Sequence, residues 1–166
     1  MKKLLFVFLM FVLPLAASAQ VRMGYFSYNA ILTSMTDYQL AKRSVDDLRL
    51  KYDAEMKRSE KEFNDKYEEF LEVQRDLVPS ILRKRQAELQ EMMQKNINFK
   101  NESQRLLKQA EADAFAPVKN KLYKALTKVG QAQGYAFILN TDGDACPYVN
   151  PQMGEDATDL IKEALN

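Results

Sequence analysis

The sequence predicts an α+β chain, mostly α, in which a long antiparallel coiled-coil helical hairpin projects from a small β-strand body completed by oligomerisation. Three observations carry this. From Tyr38 to Leu77 apolar or small residues recur at gaps of three or four, the spacing of a coiled-coil seam. All five glycines lie at Gly24 or from Gly130 onward, so more than a hundred residues in between lack the commonest turn-former. Stretches rich in β-formers are confined to the two ends of the chain.

Residues 1–19 read as a signal peptide: Lys2 and Lys3 precede an apolar run from Leu4 to Leu15, followed by Ala17-Ser18-Ala19. The run falls short of the roughly 20 residues that span a bilayer as a helix, so cleavage after Ala19 and export are expected. Residues 20–35 supply a first strand, VRMGYFS, and a short helical turn or loop.

Residues 36–118 form the hairpin. The outgoing seam runs Tyr38, Ala41, Val45, Leu48, Tyr52, Met56, Ser59, Phe63, Tyr67, Phe70, Val73 and Leu77, with a mixed-charge surface between. Pro79 disfavours helix at Val78 and suits the first turn of a new helix, so the tip is placed near residues 78–79. The spacing resumes through Leu82, Leu89, Met93, Ile97 and Leu107 to Ala132. Antiparallel arms about that tip pair residues whose numbers sum to roughly 157, placing Phe63 near Met93 and Pro117 opposite the start of the outgoing helix. A proline inside a helix removes a hydrogen bond, so Pro117 is the expected hinge.

Residues 119–166 complete the body with the end of the return helix, a β-hairpin and a C-terminal helix. The hairpin joins Tyr135–Leu139 to Cys146–Val149 around Asp142-Gly143. The helix runs from Asp156 to Leu165, with Ala157, Leu160, Ile161 and Ala164 on one face. Three short strands and one short helix make too small a core to stand alone, and a lone Cys146 can form no internal disulfide. Homo-oligomerisation is the physical expectation, through Met23, Tyr25, Phe137, Leu139 and Tyr148.

Composition excludes several function classes. Without Lys2 and Lys3 the formal net charge falls from +1 to about −1, which gives no electrostatic steering toward nucleic acid. The chain contains no histidine, Cys146 has no base to activate it, and no Gly-rich phosphate loop occurs, so neither an enzyme nor a cofactor-binding protein is expected. Asn140–Asp144 resembles the opening of a calcium loop, but Ala145 stands where glycine is needed and Pro151 where the closing glutamate belongs, so no metal is expected.

The order of signal peptide, strand, long helical hairpin, strand pair and terminal helix resembles the Skp/OmpH family of periplasmic chaperones. The likeness covers essentially the whole mature chain. VRMGYFSYNAIL at its start and VGQAQGYAFILNTDGDACPYVNPQMGEDATDLIKEAL at its end are the most specific pieces. The resemblance implies a homotrimer of jellyfish shape, whose helical tentacles hold unfolded outer-membrane proteins in a central cavity within the periplasm, without ATP. Family members are typically strongly basic, whereas this mature chain is near neutral. Only a weak contact with anionic membrane surfaces or lipopolysaccharide is expected, at the tip, where Arg75, Arg83, Lys84 and Arg85 outnumber Glu72, Asp76 and Glu88.

A holder of unfolded chains needs adaptable apolar groups, and methionine and aromatic side chains supply them. Met56, Phe63, Tyr67, Phe70, Leu71, Met92, Met93 and Phe99 are the candidates for client contact. Phe70 with Leu71, and Met92 with Met93, are adjacent, and both members of a pair cannot face one narrow seam. The competing reading is a structural coiled-coil spacer or adaptor of the cell envelope, which calls for a closed seam and a polar exterior.

Overall fold

The structure is a computed structural model, and it describes residues 21–144 and 146–165. The signal peptide expected at residues 1–19, with its cleavage point, lies outside these residues. In chain order the elements are β1 (Met23–Phe26), α1 (Tyr28–Ser34), α2 (Thr36–Val73), α3 (Pro79–Gln133), β2 (Phe137–Asn140), β3 (Gly154–Asp156) and α4 (Thr158–Leu165). The chain divides into two compact units, one comprising residues up to Thr33 together with those from Lys121, the other comprising Ser34–Asn120.

The Ser34–Asn120 unit is a helical hairpin. The 38 residues of α2 rise on the order of 57 Å. Its partner runs back alongside: the rings of Tyr38 and Phe115 lie 5.2 Å apart, those of Tyr52 and Phe99 6.2 Å apart, and the Asn96 side chain donates to the Ser59 carbonyl at 3.3 Å. Val45, Phe70 and Val118 are buried in this unit, as is Ser103, whose hydroxyl donates back to the Lys100 carbonyl. Exposed ion pairs three or four residues apart, such as Lys61–Asp65 and Glu91–Lys95, run along the outside and contribute little to stability.

The turn falls earlier than the sequence pattern suggests. α2 ends at Val73 and residues 74–78 carry the reversal, with the Asp76 amide donating to Val73 and the Ile81 and Leu82 amides donating to the Val78 carbonyl. Pro79 is the first residue of α3, where its missing N–H costs nothing, so it opens the return helix and does not itself sit at the tip. The centre of the turn therefore shifts toward Asp76, and the partners across the hairpin have lower-numbered mates than a tip at 78–79 implies.

The other unit holds a three-stranded sheet of order β2-β1-β3, with both neighbours parallel to β1. Met23 pairs with Phe137 and Gly154, and Tyr25 with Leu139 and Asp156. One sheet face is closed by helices. Phe26 alternates inward, and Ile31, Leu32, Leu122, Ala125, Val129, Tyr135, Ala157 and Ile161 form the core of this unit. Gly24 lets that packing close, because a Cβ there would sit 2.9 Å from the Tyr135 ring. Arg22 holds the ring from outside, 5.5 Å from its centroid, while pairing with Glu155 at 3.0 Å and donating to the Gln133 carbonyl at 2.7 Å.

The expected β-hairpin around Asp142-Gly143 is absent, and this corrects the sequence reading. Cys146, Pro147, Tyr148 and Val149 form no strand, and the third strand is Gly154–Asp156. The reason lies in Asp142. Its carboxylate accepts from the Ser27 hydroxyl at 2.7 Å and the Asn29 amide at 2.6 Å, at the start of α1, while the Asn140 side chain accepts from the Tyr28 amide at 3.1 Å. The chain leaving β2 thus caps a helix across the sheet and does not fold back on its own strand. β3, a Gly-Glu-Asp triplet, has no β-propensity to reveal it. It is admitted beside β1 because Gly154 has no side chain, a Cβ there falling 2.9 Å from Val149 and 3.1 Å from Tyr25.

Candidate functional site

α2 and α3 do not close on each other evenly. Near the turn the seam opens into two grooves that share the side chains of Phe70 and Leu89. The larger, of about 640 Å³, has an apolar floor of Phe70, Val73, Leu77, Ile81, Leu89 and Met92. Its rim carries Lys66, Glu69, Arg85, Glu88, Glu91 and Lys95, and two ion pairs, Arg85–Glu88 at 3.3 Å and Glu91–Lys95 at 2.7 Å, neutralise much of it. The smaller, of about 390 Å³, is lined by Phe63, Tyr67, Phe70, Gln86, Leu89, Gln90 and Met93, with no charged group. Phe63 and Tyr67 stack there, centroids 6.0 Å apart and planes 8° from parallel. This is the i, i+4 spacing that brings two side chains together on one helix face.

Of the eight apolar candidates, the structure gathers Phe63, Tyr67, Phe70, Met92 and Met93 at these grooves. Phe70 is buried and Leu71 exposed, and Met92 is half-buried while Met93 is 48% exposed. Leu71 lines neither groove. Met56 and Phe99 are half-buried farther along the hairpin, Phe99 edge-on to Tyr52. Among the basic candidates, Arg75 lies in the turn and Arg83, Lys84 and Arg85 in the first turns of α3, all exposed. Lys84 and Arg85 share Glu88, at 3.8 and 3.3 Å. Val73, Leu77 and Leu89 were legible as seam residues, whereas Ile81, Gln86 and Gln90 carry no apolar-seam signal. Only the four-residue spacing of the two glutamines marks them.

In the other unit, Met23, Tyr25, Phe137 and Leu139 share one face by strand register, opposite the helix-covered side. Met23, Tyr25 and Leu139 are half-buried, Phe137 is exposed, and Tyr148 in the following loop is 76% exposed. Pro117 lies inside α3, three residues before the boundary between the two units. Among the described residues no group of acidic, cysteine or histidine side chains could hold a metal ion, and no helix is long and apolar enough to cross a membrane.

Four groups in the sheet unit have shifted acidity: Asp142 and Glu155 lie below their ordinary range, Tyr28 and Tyr135 above theirs. Hydrogen bonds from the Asn29 amide and the Ser27 hydroxyl hold the Asp142 carboxyl below its ordinary range. Burial, with the Glu155 carboxylate nearby, pushes the Tyr135 phenol up to about 12. Its oxygen is buried, and burial is the larger cause of the shift. Asp142 and Tyr135 serve the architecture of the sheet, and neither lines the two grooves of the hairpin.

Residues 22–165 match the family described as Outer membrane protein (OmpH-like). The chain belongs to the OmpH-like family. OmpH-like proteins are not enzymes. A crystal structure of an OmpH-like protein from Caulobacter crescentus CB15, assigned there as an outer membrane chaperone, superposes with a TM-score of 0.72 at 19% identity, over 90% of this chain and 86% of that one. At that identity the likeness establishes a shared OmpH-like fold. No curated protein matches the chain.

Proposed function

We propose that this OmpH-like chain is an ATP-independent periplasmic holdase chaperone, which binds unfolded outer-membrane proteins and keeps them from aggregating. One observation carries the reading: near its turn the hairpin leaves its apolar seam open in two grooves, where a rigid spacer would close it. Tyr67 and Met93 stand 45% and 48% exposed there, and the buried Phe70 lines both grooves. Open apolar surface of this kind is costly in water unless it has something to cover. Methionine and aromatic side chains adapt to many sequences, and each weak contact can be released without nucleotide.

The same reading has the chain act as a homotrimer, assembled through the open sheet face of Met23, Tyr25, Phe137 and Leu139 with Tyr148 beside it. Covering that face and the β2 and β3 edges in a partner supplies burial that the small sheet lacks. Pro117 is the hinge, since the backbone there lacks one intrahelical hydrogen bond. The chain works after export and signal-peptide removal. Contact of Arg75, Arg83, Lys84 and Arg85 with an anionic membrane surface or lipopolysaccharide is weak, because Glu88 already engages two of the four.

The test is dilution of a denatured outer-membrane β-barrel protein into buffer containing stoichiometric mature chain and no nucleotide, followed by light scattering. Suppressed scattering is expected. Undiminished aggregation beside a folded, oligomeric chain defeats the proposal.

A further inference from the structure

The two grooves differ in chemistry, and the difference points to what each can hold. The larger is rimmed by six charged side chains. The smaller has none, and its only strongly polar lining groups are the amides of Gln86 and Gln90 and the Tyr67 hydroxyl. Those amides are available. Three other glutamines of the hairpin do bond within it, Gln74 to the Leu71 carbonyl, Gln94 to Asn98 and Gln109 to Asp113. Gln86 and Gln90 make no such bond among the described residues, and both are exposed.

A glutamine amide both donates and accepts, so it satisfies a backbone N–H or C=O without reading the side chain attached to it. Gln86 and Gln90 stand one helical turn apart, a rise of about 6 Å. In an extended chain, groups that point the same way recur every second residue, about 6.7 Å apart. The two repeats agree to within about 1 Å, which flexible glutamine side chains absorb. Beside the amides, Phe63, Tyr67, Phe70 and Met93 offer an apolar, polarisable wall for one inward side chain.

Resting on the chaperone reading above, we propose that the uncharged groove binds an extended segment of unfolded polypeptide. Gln86 and Gln90 hydrogen-bond one edge of its backbone, and Phe63, Tyr67 and Met93 take an aromatic or apolar side chain between them. The segment is uncharged where it meets the groove, since nothing in the lining compensates a buried charge. The charge-rimmed groove on the far side of Phe70 does not share this role. Backbone recognition suits a binder of many sequences, because unfolded chains share their amides and little else.

The probe is a fluorescent synthetic peptide of ten residues, uncharged, alternating apolar and polar with one central tyrosine, titrated against the full mature chain by anisotropy. Three changes are compared: Gln86→Leu with Gln90→Leu, which keeps volume and removes the amides; N-methylation of alternate backbone amides of the peptide, which leaves the protein untouched; and Glu69→Gln with Glu91→Gln at the other groove. The expected result is about tenfold weaker binding for each of the first two and no change for the third, as two neutral hydrogen bonds predict. Unchanged or tighter binding by the leucine variant, with the N-methyl peptide bound as well as its parent, overturns the proposal. If the parent chain then still suppresses aggregation of the denatured β-barrel protein, the chaperone reading survives; if it does not, both fall.

Discussion

Replacing Gly24 by alanine tests whether the sheet and the helices behind it close as tightly as described. The added Cβ would lie 2.9 and 3.0 Å from two carbons of the Tyr135 ring and 3.4 Å from the Ala157 Cβ, whereas carbon atoms rest comfortably about 3.5–4.0 Å apart. The ring cannot simply withdraw. It is buried, and the Arg22 guanidinium, itself tied to Glu155 and the Gln133 carbonyl, sits over it. Overpacking of this kind costs about 1–3 kcal/mol, and relieving a strand of its glycine returns about 0.5–1 kcal/mol. The overlap wins, and a net loss of about 1–2 kcal/mol is expected. The assay is urea unfolding followed by circular dichroism, at one fixed protomer concentration because assembly adds to apparent stability. In a Tyr135→Ala background the neighbour is gone and Gly24→Ala should cost nothing or stabilise slightly. Equal losses in both backgrounds, or a more stable single variant, would refute the packing described here.

Leu122→Ala removes a fully buried side chain from the core of the sheet unit and should cost about 2–5 kcal/mol by the same unfolding assay. Asp142 has a depressed pKa, so its contribution to stability is complete above the ordinary aspartate value of about 3.9 and is lost as pH falls through its lowered one. Asp142→Asn should flatten that acid limb of the stability–pH curve, and a curve identical to the parent's would contradict the capping role. The raised pKa of Tyr135 acts in the opposite sense: its contribution is intact below about pH 10 and disappears as pH climbs toward 12, and Tyr135→Phe should abolish that alkaline limb. Pro117→Ala restores a helical N–H and should raise helicity while slowing amide hydrogen exchange in the turns just before it; exchange as fast as in the parent would remove Pro117 as a hinge.

What could be read in advance followed from regular spacing. The long helices were legible because one apolar or small residue recurs in each turn through a stretch without glycine, and only a hairpin buries two such stripes from one chain. Pro79 was legible as the opener of the return helix, but the tip was placed beside it at 78–79 because the seam spacing runs on to Leu77, when residues 74–78 do the turning. The supposed β-hairpin failed for a different reason. Asp142-Gly143 does carry a turn signal, with Gly143 at φ +76°, but the hydrogen bonds that fix the aspartate come from residues more than a hundred positions away. No local pattern announces such a partner, and none announces a strand made of Gly-Glu-Asp. The grooves were hidden too, since seam spacing states which residues face inward and not how fully they fill the gap. Of the eight residues chosen by chemistry as candidates for client contact, Phe63, Tyr67, Phe70, Met92 and Met93 line the grooves, whereas Met56, Leu71 and Phe99 do not; the two glutamines were passed over because polar residues on a helix exterior carry no seam signal.

The order of the strands has a consequence for when the molecule can finish folding. β1 lies at the middle of its sheet, yet Phe137 and Gly154, the mates of Met23, are synthesised more than a hundred residues after it. The hairpin is made of contacts that grow outward from its own turn and can zip as soon as both arms are present, whereas the sheet must wait for nearly the whole chain. Until then β1 stays extended, with both edges unsatisfied. Shortening the chain by residues 154–166 would strip away β3 and α4 together and leave that first strand half-paired, however well the long helices had formed.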